Sequence, residues 1–137
     1  MIRKSRAEDT NALETLFQIT RQKTFKLTPS QNFAIGDYIK STEGEEVWVA
    51  EENGNITGFI SLWLADNFIH NLFVHPYFQN QGIGKQLLKK AEERLSTPME
   101  LKVTMGNDKA CHFYEKQGWK KISVHQDDKE NYILYRK

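Results

Sequence analysis

Apolar positions along the chain recur in blocks whose period changes repeatedly, and each change marks where one element ends and the next begins. A short strand is expected near residues 2 to 6. Asp9 and Thr10 then cap a first helix whose inner face carries Leu13, Leu16, Phe17 and Thr20. A second helix is expected after Pro29. Val47 to Glu52 reads as a strand, Asn53-Gly54 as a two-residue hairpin turn, and Ile56 to Leu64 as the returning strand. Asp66-Asn67 turns the chain into Phe68 to Val74, aromatic and branched enough for another strand. Helical spacing follows: Gly84, Leu87, Leu88, Ala91 and Leu95 share one face, while Lys85, Lys89, Lys90, Glu92, Glu93 and Arg94 take the other. Thr97-Pro98 breaks the chain before a strand over Met99 to Thr104, and Asp108 to Lys116 fits a helix ended by Gly118. Trp119 to Val124 and Tyr132 to Tyr135, joined by the charged loop 126–131, supply the last two strands. The sum is an α+β sheet with helices on its faces.

Composition sharpens this by exclusion. The 137 residues, 39% hydrophobic and 27% charged, suit one domain over residues 1–137 with a full core. A formal charge of +1, without a clustered basic stripe, argues against a nucleic-acid module. The single cysteine, Cys111, precludes an internal disulfide, and four scattered histidines provide no metal-ligand spacing, so no metal is expected and a reducing cytoplasm fits. No stretch approaches the ~20 apolar residues of a spanning helix, and the charged N-terminus does not read as an export signal.

Candidate chemistry is densest where the strand ending at Val74 runs into the helix beginning near Gly84. Pro76 ends the ladder because it cannot donate a hydrogen bond, and Gly82 and Gly84 allow close approach to the backbone. The first NH groups of the following helix lack internal partners, and the helix dipole adds partial positive charge beside them. The loop from Gln79 through Asn80, Gln81, Gly82, Ile83 and Gly84 to Lys85 is therefore suited to a diphosphate. A plain packing role for the two glycines stays open. The loop is not a Walker A motif, since Gln86 follows Gly84-Lys85, and it lacks the first glycine of a dinucleotide fingerprint. A second cluster runs from Asn107 to Trp119, where Ala110, Phe113, Tyr114 and Gln117 can share a helix face. Taken alone, Phe113 and Tyr114 read as core.

Together the two clusters resemble the GCN5-related N-acetyltransferase (GNAT) family. Its Gln/Arg-x-x-Gly-x-Gly/Ala loop is matched by Gln79-Asn80-Gln81-Gly82-Ile83-Gly84, preceded by Leu72-Phe73-Val74-His75-Pro76. Its later Asn-x-x-Ala-x-x-Phe-Tyr-x-Lys-x-Gly-Phe signature is matched by Asn107, Ala110, Phe113, Tyr114, Lys116 and Gly118, with Trp119 in place of the last Phe. The resemblance implies an α/β sandwich whose mixed, mostly antiparallel sheet has about seven strands. Helices cover both faces, and splayed central strands hold CoA.

The same resemblance implies acetyl-CoA as cosubstrate and direct transfer of its acetyl group to a primary amine. The amides of Gln79 to Lys85 would hold the diphosphate, and the backbone of Leu72, Phe73 and Val74 would pair with the pantetheine arm. Lys85 would add charge there or stand as a solvated surface lysine. Asn107 would bond the arm or cap its helix. Tyr114 matches the family's general acid, a phenol that stays protonated at neutral pH and can supply a proton to the departing thiolate. The oxyanion donor is expected to be a backbone NH at Val74 or nearby. For the base, His70 is chosen over His75; strict alternation would put His70 on the face of Leu72 and Val74, and a locally hydrogen-bonded sheet histidine is the competing reading. Acceptor choice is expected from Phe25, Leu27, Phe33, Ile35, Tyr38 and Ile39, whose spacing equally fits helix packing. The acceptor is a small-molecule amine or a protein amino group, and the protein a monomer or homodimer engaging neither nucleic acid nor membrane. A noncatalytic acyl-CoA sensor and a protein-interaction domain are the alternatives.

Overall fold

The structure, a computed structural model, describes residues 1–24 and 36–137. The helix expected after Pro29, and Phe25, Leu27, Phe33 and Ile35, lie largely outside those residues. Strand β1 (Ile2–Lys4) leads through a 3-10 turn (Ala7–Asp9) into helix α1 (Thr10–Thr24), and α2 covers Asp37–Ser41. Strands β2 (Glu46–Glu52), β3 (Asn55–Trp63) and β4 (Phe68–Val74) follow, then helix α3 (Ile83–Arg94), strand β5 (Glu100–Thr104), helix α4 (Asp108–Lys116), and strands β6 (Lys120–Gln126) and β7 (Asn131–Arg136). All seven strands form one sheet in the order β1-β2-β3-β4-β5-β7-β6. Every neighbouring pair is antiparallel except β4 with β5.

The expected turns form for the expected reasons. Asn53 and Gly54 both adopt left-handed backbone, φ 52° and 82°, the combination a two-residue hairpin turn needs to match strand twist. The start of the first helix differs from the expected cap. Asp9 does not cap α1 but closes the 3-10 turn by accepting from the Arg6 amide at 2.7 Å, and the Arg3 guanidinium grips both its oxygens at 2.8 and 2.9 Å. That bidentate, charge-assisted pairing holds the carboxyl below the usual carboxylate range.

Each face of the sheet carries its own core. On one side α1 and α2 cover an aromatic cluster in which Phe17, Tyr38, Phe59 and Phe73 meet at centroid distances of 5.4 to 6.2 Å, mostly edge to face. On the other, α3 and α4 bury Ile83, Leu87, Leu88, Ala91, Cys111 and Tyr114 against Ile60, Leu62, Ile69 and Leu101. Helix α3 comes unusually near the sheet at Gly58 of β3. A Cβ there would lie 2.8 Å from the Phe73 carbonyl oxygen and 3.2 Å from Leu87 Cδ1, so only glycine permits this approach. Because β3 pairs Gly58 with Val74, that contact also fixes where α3 starts relative to the end of β4. Gly58→Ala is expected to cost about 1–3 kcal/mol by overpacking. Urea unfolding checks this, and an unchanged midpoint would show that α3 retreats without penalty.

Candidate active site

The site begins with a pairing that stops early. Parallel strands β4 and β5 are in register only at Phe68 with Glu100 and Ile69 with Leu101. Beyond these, β4 continues against β3 from Asn71 to Val74, while Lys102 to Thr104 continue against β7. The strands part into a wedge, so Leu72, Phe73 and Val74 face no strand on the β5 side. A cavity of about 690 Å³ occupies the wedge and crosses the sheet. Phe17, Arg21, Asp37, Lys40 and Ser41 line it on one face, and Asn107, Ala110 and Tyr114 on the other.

At the far end of β4, Pro76–Phe78 form a 3-10 turn and the chain enters the glycine loop. Asn80 and Gly82 take left-handed backbone, φ 64° and 83°, and Gly82 stands at the N-cap of α3 with no side chain to cap it. The first bond of the helix runs from the Gln86 amide to the Gly82 carbonyl at 3.0 Å, leaving the amides of Ile83, Gly84 and Lys85 without helical acceptors. A Cβ on Gly82 would meet nothing within 4 Å, so the space above this cup is open to an anion. Gly84 serves packing, its Cβ position lying 3.5 Å from Phe113. Asn80, Gln81 and Lys85 are exposed around the cup.

Gln79 does more than its loop position announces. Its Nε2 donates to the Val74 carbonyl at 3.0 Å, and its Oε1 accepts from Lys109 Nζ at 2.9 Å. One side chain therefore ties the loop to the end of β4 and to α4. The Val74 carbonyl is already occupied, and the register with β3 turns the Phe73 backbone groups toward Phe59, so of the predicted strand grip the Val74 amide and the groups of Leu72 are what remain. Asn107 has the capping role: its Oδ1 accepts from the Ala110 amide at 3.3 Å while the residue also lines the cavity.

Tyr114 is 8% exposed, packed among Phe113, Trp119 and Tyr135 at centroid distances of 5.1 to 6.4 Å. Burial pushes its phenol above the ordinary value, so the hydroxyl keeps its proton at neutral pH. Cys111 is buried in the same core, and His112 is exposed on α4.

His70 is placed differently from the alternation expected of it. Leu62 pairs with Ile69 and Ser61 with Asn71, so His70 is the extra residue of a β-bulge. The bulge inverts alternation: Ile69, Leu72 and Val74 all join the α3/α4 core, whereas His70 turns toward α2 with Asn71, which donates to the hydroxyls of Ser41 and Ser61 at 3.1 and 2.9 Å. There His70 Nδ1 lies 2.8 Å from Glu45 Oε2. The Glu45 side chain is only 7% exposed, and its other oxygen has no hydrogen-bond partner among the described residues. This carboxylate raises the His70 pKa against desolvation and the repulsion of Lys102. His75 is structural, its Nδ1 accepting from the Tyr77 amide at 3.1 Å.

Sequence patterns pointed past several of these groups. Glu45 sits in a loop twenty-five positions before its partner, and nothing local marks the pair. Tyr38 and Ile39 do not line the cavity: Tyr38 is 6% exposed in the aromatic core, and Ile39 is 55% exposed. Charged and polar residues of α1 and α2 line the cavity instead. Among the described residues no group of three His, Cys, Asp or Glu could hold a metal ion, and no helix is long and apolar enough to cross a membrane.

This geometry has relatives. The chain is 38% identical over 72 residues to the peptidyl-lysine N-acetyltransferase YiaC of Escherichia coli, covering 53% of this chain and 48% of that protein. It thus spans about half the length of curated relatives it matches. In fold it is similar to the ribosomal-protein-S18-alanine N-acetyltransferase of Escherichia coli, with TM-score 0.79 and 19% identity over 99% of this chain and 91% of that one. A PaiA N-acetyltransferase of Thermoplasma acidophilum, solved with coenzyme A, gives TM-score 0.78 and 22% identity over 100% and 98%. Residues 11–119 match the Acetyltransferase (GNAT) family, and the chain, with its parted central strands and glycine cup, belongs to that family.

Proposed function

We propose that this protein is an N-acetyltransferase that moves the acetyl group of acetyl-CoA to a primary amine by direct attack. The observation that carries the reading is the cavity through the β4–β5 wedge, bounded at one end by a free helix N-terminus and along its length by unpaired strand edge. A diphosphate fits the cup over Gly82, and a linear diamide fits the open edge of Leu72 to Val74. Acetyl-CoA would supply the activated acyl group as a thioester.

The chain's own residues supply proton transfer. Tyr114, buried and protonated, is placed on the α4 side to donate from its hydroxyl to a leaving sulfur. His70, on the opposite side, takes the proton of the attacking amine at Nε2, because Glu45 engages Nδ1 and thereby fixes the tautomer. Backbone NH groups near Val74 would serve as donors to a developing oxyanion. In this reading the transfer is direct, and Cys111, buried in the core, takes no part in it.

Three outcomes test this. Gly82→Trp should weaken acetyl-CoA binding more than tenfold in calorimetry with the fold intact, by filling the cup; unchanged affinity would move the diphosphate elsewhere. Tyr114→Phe should keep CoA affinity while slowing transfer about 100-fold or more. Equal turnover across pH would remove it from the reaction. Finally, a base must be neutral to act, and Glu45 holds His70 protonated to higher pH. The rise of kcat/KM with pH should therefore have its midpoint above the ordinary histidine value of about 6.5. Glu45→Gln should move that midpoint to lower pH and lower the plateau. A profile unmoved by this substitution would mean that another group is the base.

A further inference from the structure

The α1/α2 mouth of the cavity has a charge balance that bears on the acceptor. Its described lining holds three cations, Arg21, Lys40 and Lys102, against Asp37, and with His70 neutral the buried Glu45 carboxylate behind it is a second acid, so the cations still outnumber the acids. Arg21 stacks its guanidinium 4.7 Å from the Phe17 ring centroid and meets Asp37 at 3.3 Å, so that acid is largely answered within the protein. Lys40 forms no ion pair among the described residues. Lys102 lies 4.5 Å over the Tyr132 ring, and its charge is felt at His70.

An amine reaches an enzyme at neutral pH mostly as an ammonium ion, which this mouth repels. In a cleft with low-dielectric walls such a field is focused and strengthened. A simple alkylamine or an isolated lysine side chain has nothing to offset that repulsion. An acceptor whose amine stands a few bonds from a carboxylate does: the anion meets the cations while the amine turns inward toward His70.

Resting on the transferase reading above, we infer that the acceptor is a small amine bearing its own carboxylate, such as a free α-amino acid, with Lys40 as the group that recognises the anion. Lys40 meets the anion as a mobile point charge, while Arg21 stays engaged with Asp37.

The test compares free L-amino acids with their C-terminal amides, a lysine peptide blocked at both ends, and a peptide with a free N-terminus and an acidic second residue. Acetylation would be followed by CoA thiol release. The expected result is a kcat/KM at least tenfold higher for an amino acid than for its amide, a ratio that shrinks at high salt. Lys40→Gln should lower the ratio several-fold through KM with acetyl-CoA affinity unchanged, and Lys40→Arg should restore it. An amide used as well as its acid, or either peptide as the best acceptor, would overturn the inference and leave the transferase reading standing. Transfer to no amine despite acetyl-CoA binding in calorimetry would overturn both.

Discussion

The early separation of β4 from β5 is the constraint on which the rest of the site depends. Strand edges left unpaired inside a protein are costly, and a sheet normally closes such a gap. Here neither strand is at liberty to close it. Beyond the two shared positions β4 is held by β3 through Val74, and β5 by β7 through Thr104. Each strand thus has one satisfied side, and the sheet behaves as two half-sheets hinged at Ile69 and Leu101. The open backbone groups face a cavity in which a ligand with its own amides can satisfy them.

The two ends of the wedge are braced by different means. Toward the glycine loop, Gln79 holds the Val74 carbonyl and Lys109 at once, so strand end, loop and α4 keep a common position. Gly58 sets the spacing of α3 against that same strand end. Toward the other helices, Asn71 reaches Ser41 and Ser61, which couples α2 to the face of β4. None of these contacts belongs to the proposed chemistry. They place the groups that do.

What could be read from the sequence follows from how local each cause is. The Asn53-Gly54 turn, the buried face of α3, the cap at Asn107 and the glycine cup all arise from residues within a few positions of one another, and the structure keeps them. The bulge at His70 does not. Whether a strand residue is paired or extra depends on the register of β3, and a one-residue slip reverses the faces of everything after it. Strict alternation therefore misplaced His70. Glu45 and the Arg3 grip on Asp9 were hidden for a related reason, since both join residues that only the fold brings together. The hydrophobic reading of Tyr38 was correct as packing and wrong as a site, because the spacing that fills an aromatic core is the same spacing that lines a cleft.

That inversion of β4 gives the proposed reaction its direction. With regular alternation, His70 would share the α3/α4 face with Leu72, Val74 and Tyr114, crowding acid and base onto one side of the sheet. The bulge sends His70 through to the α1/α2 face, where Glu45 is buried to receive it, and leaves Tyr114 behind the strands. A thioester threaded along the open edge between them would present its carbonyl at the gap. In the proposed reaction the amine would approach past His70 from one side and the sulfur would leave toward Tyr114 on the other, which would keep the proposed proton donor and acceptor from competing for each other.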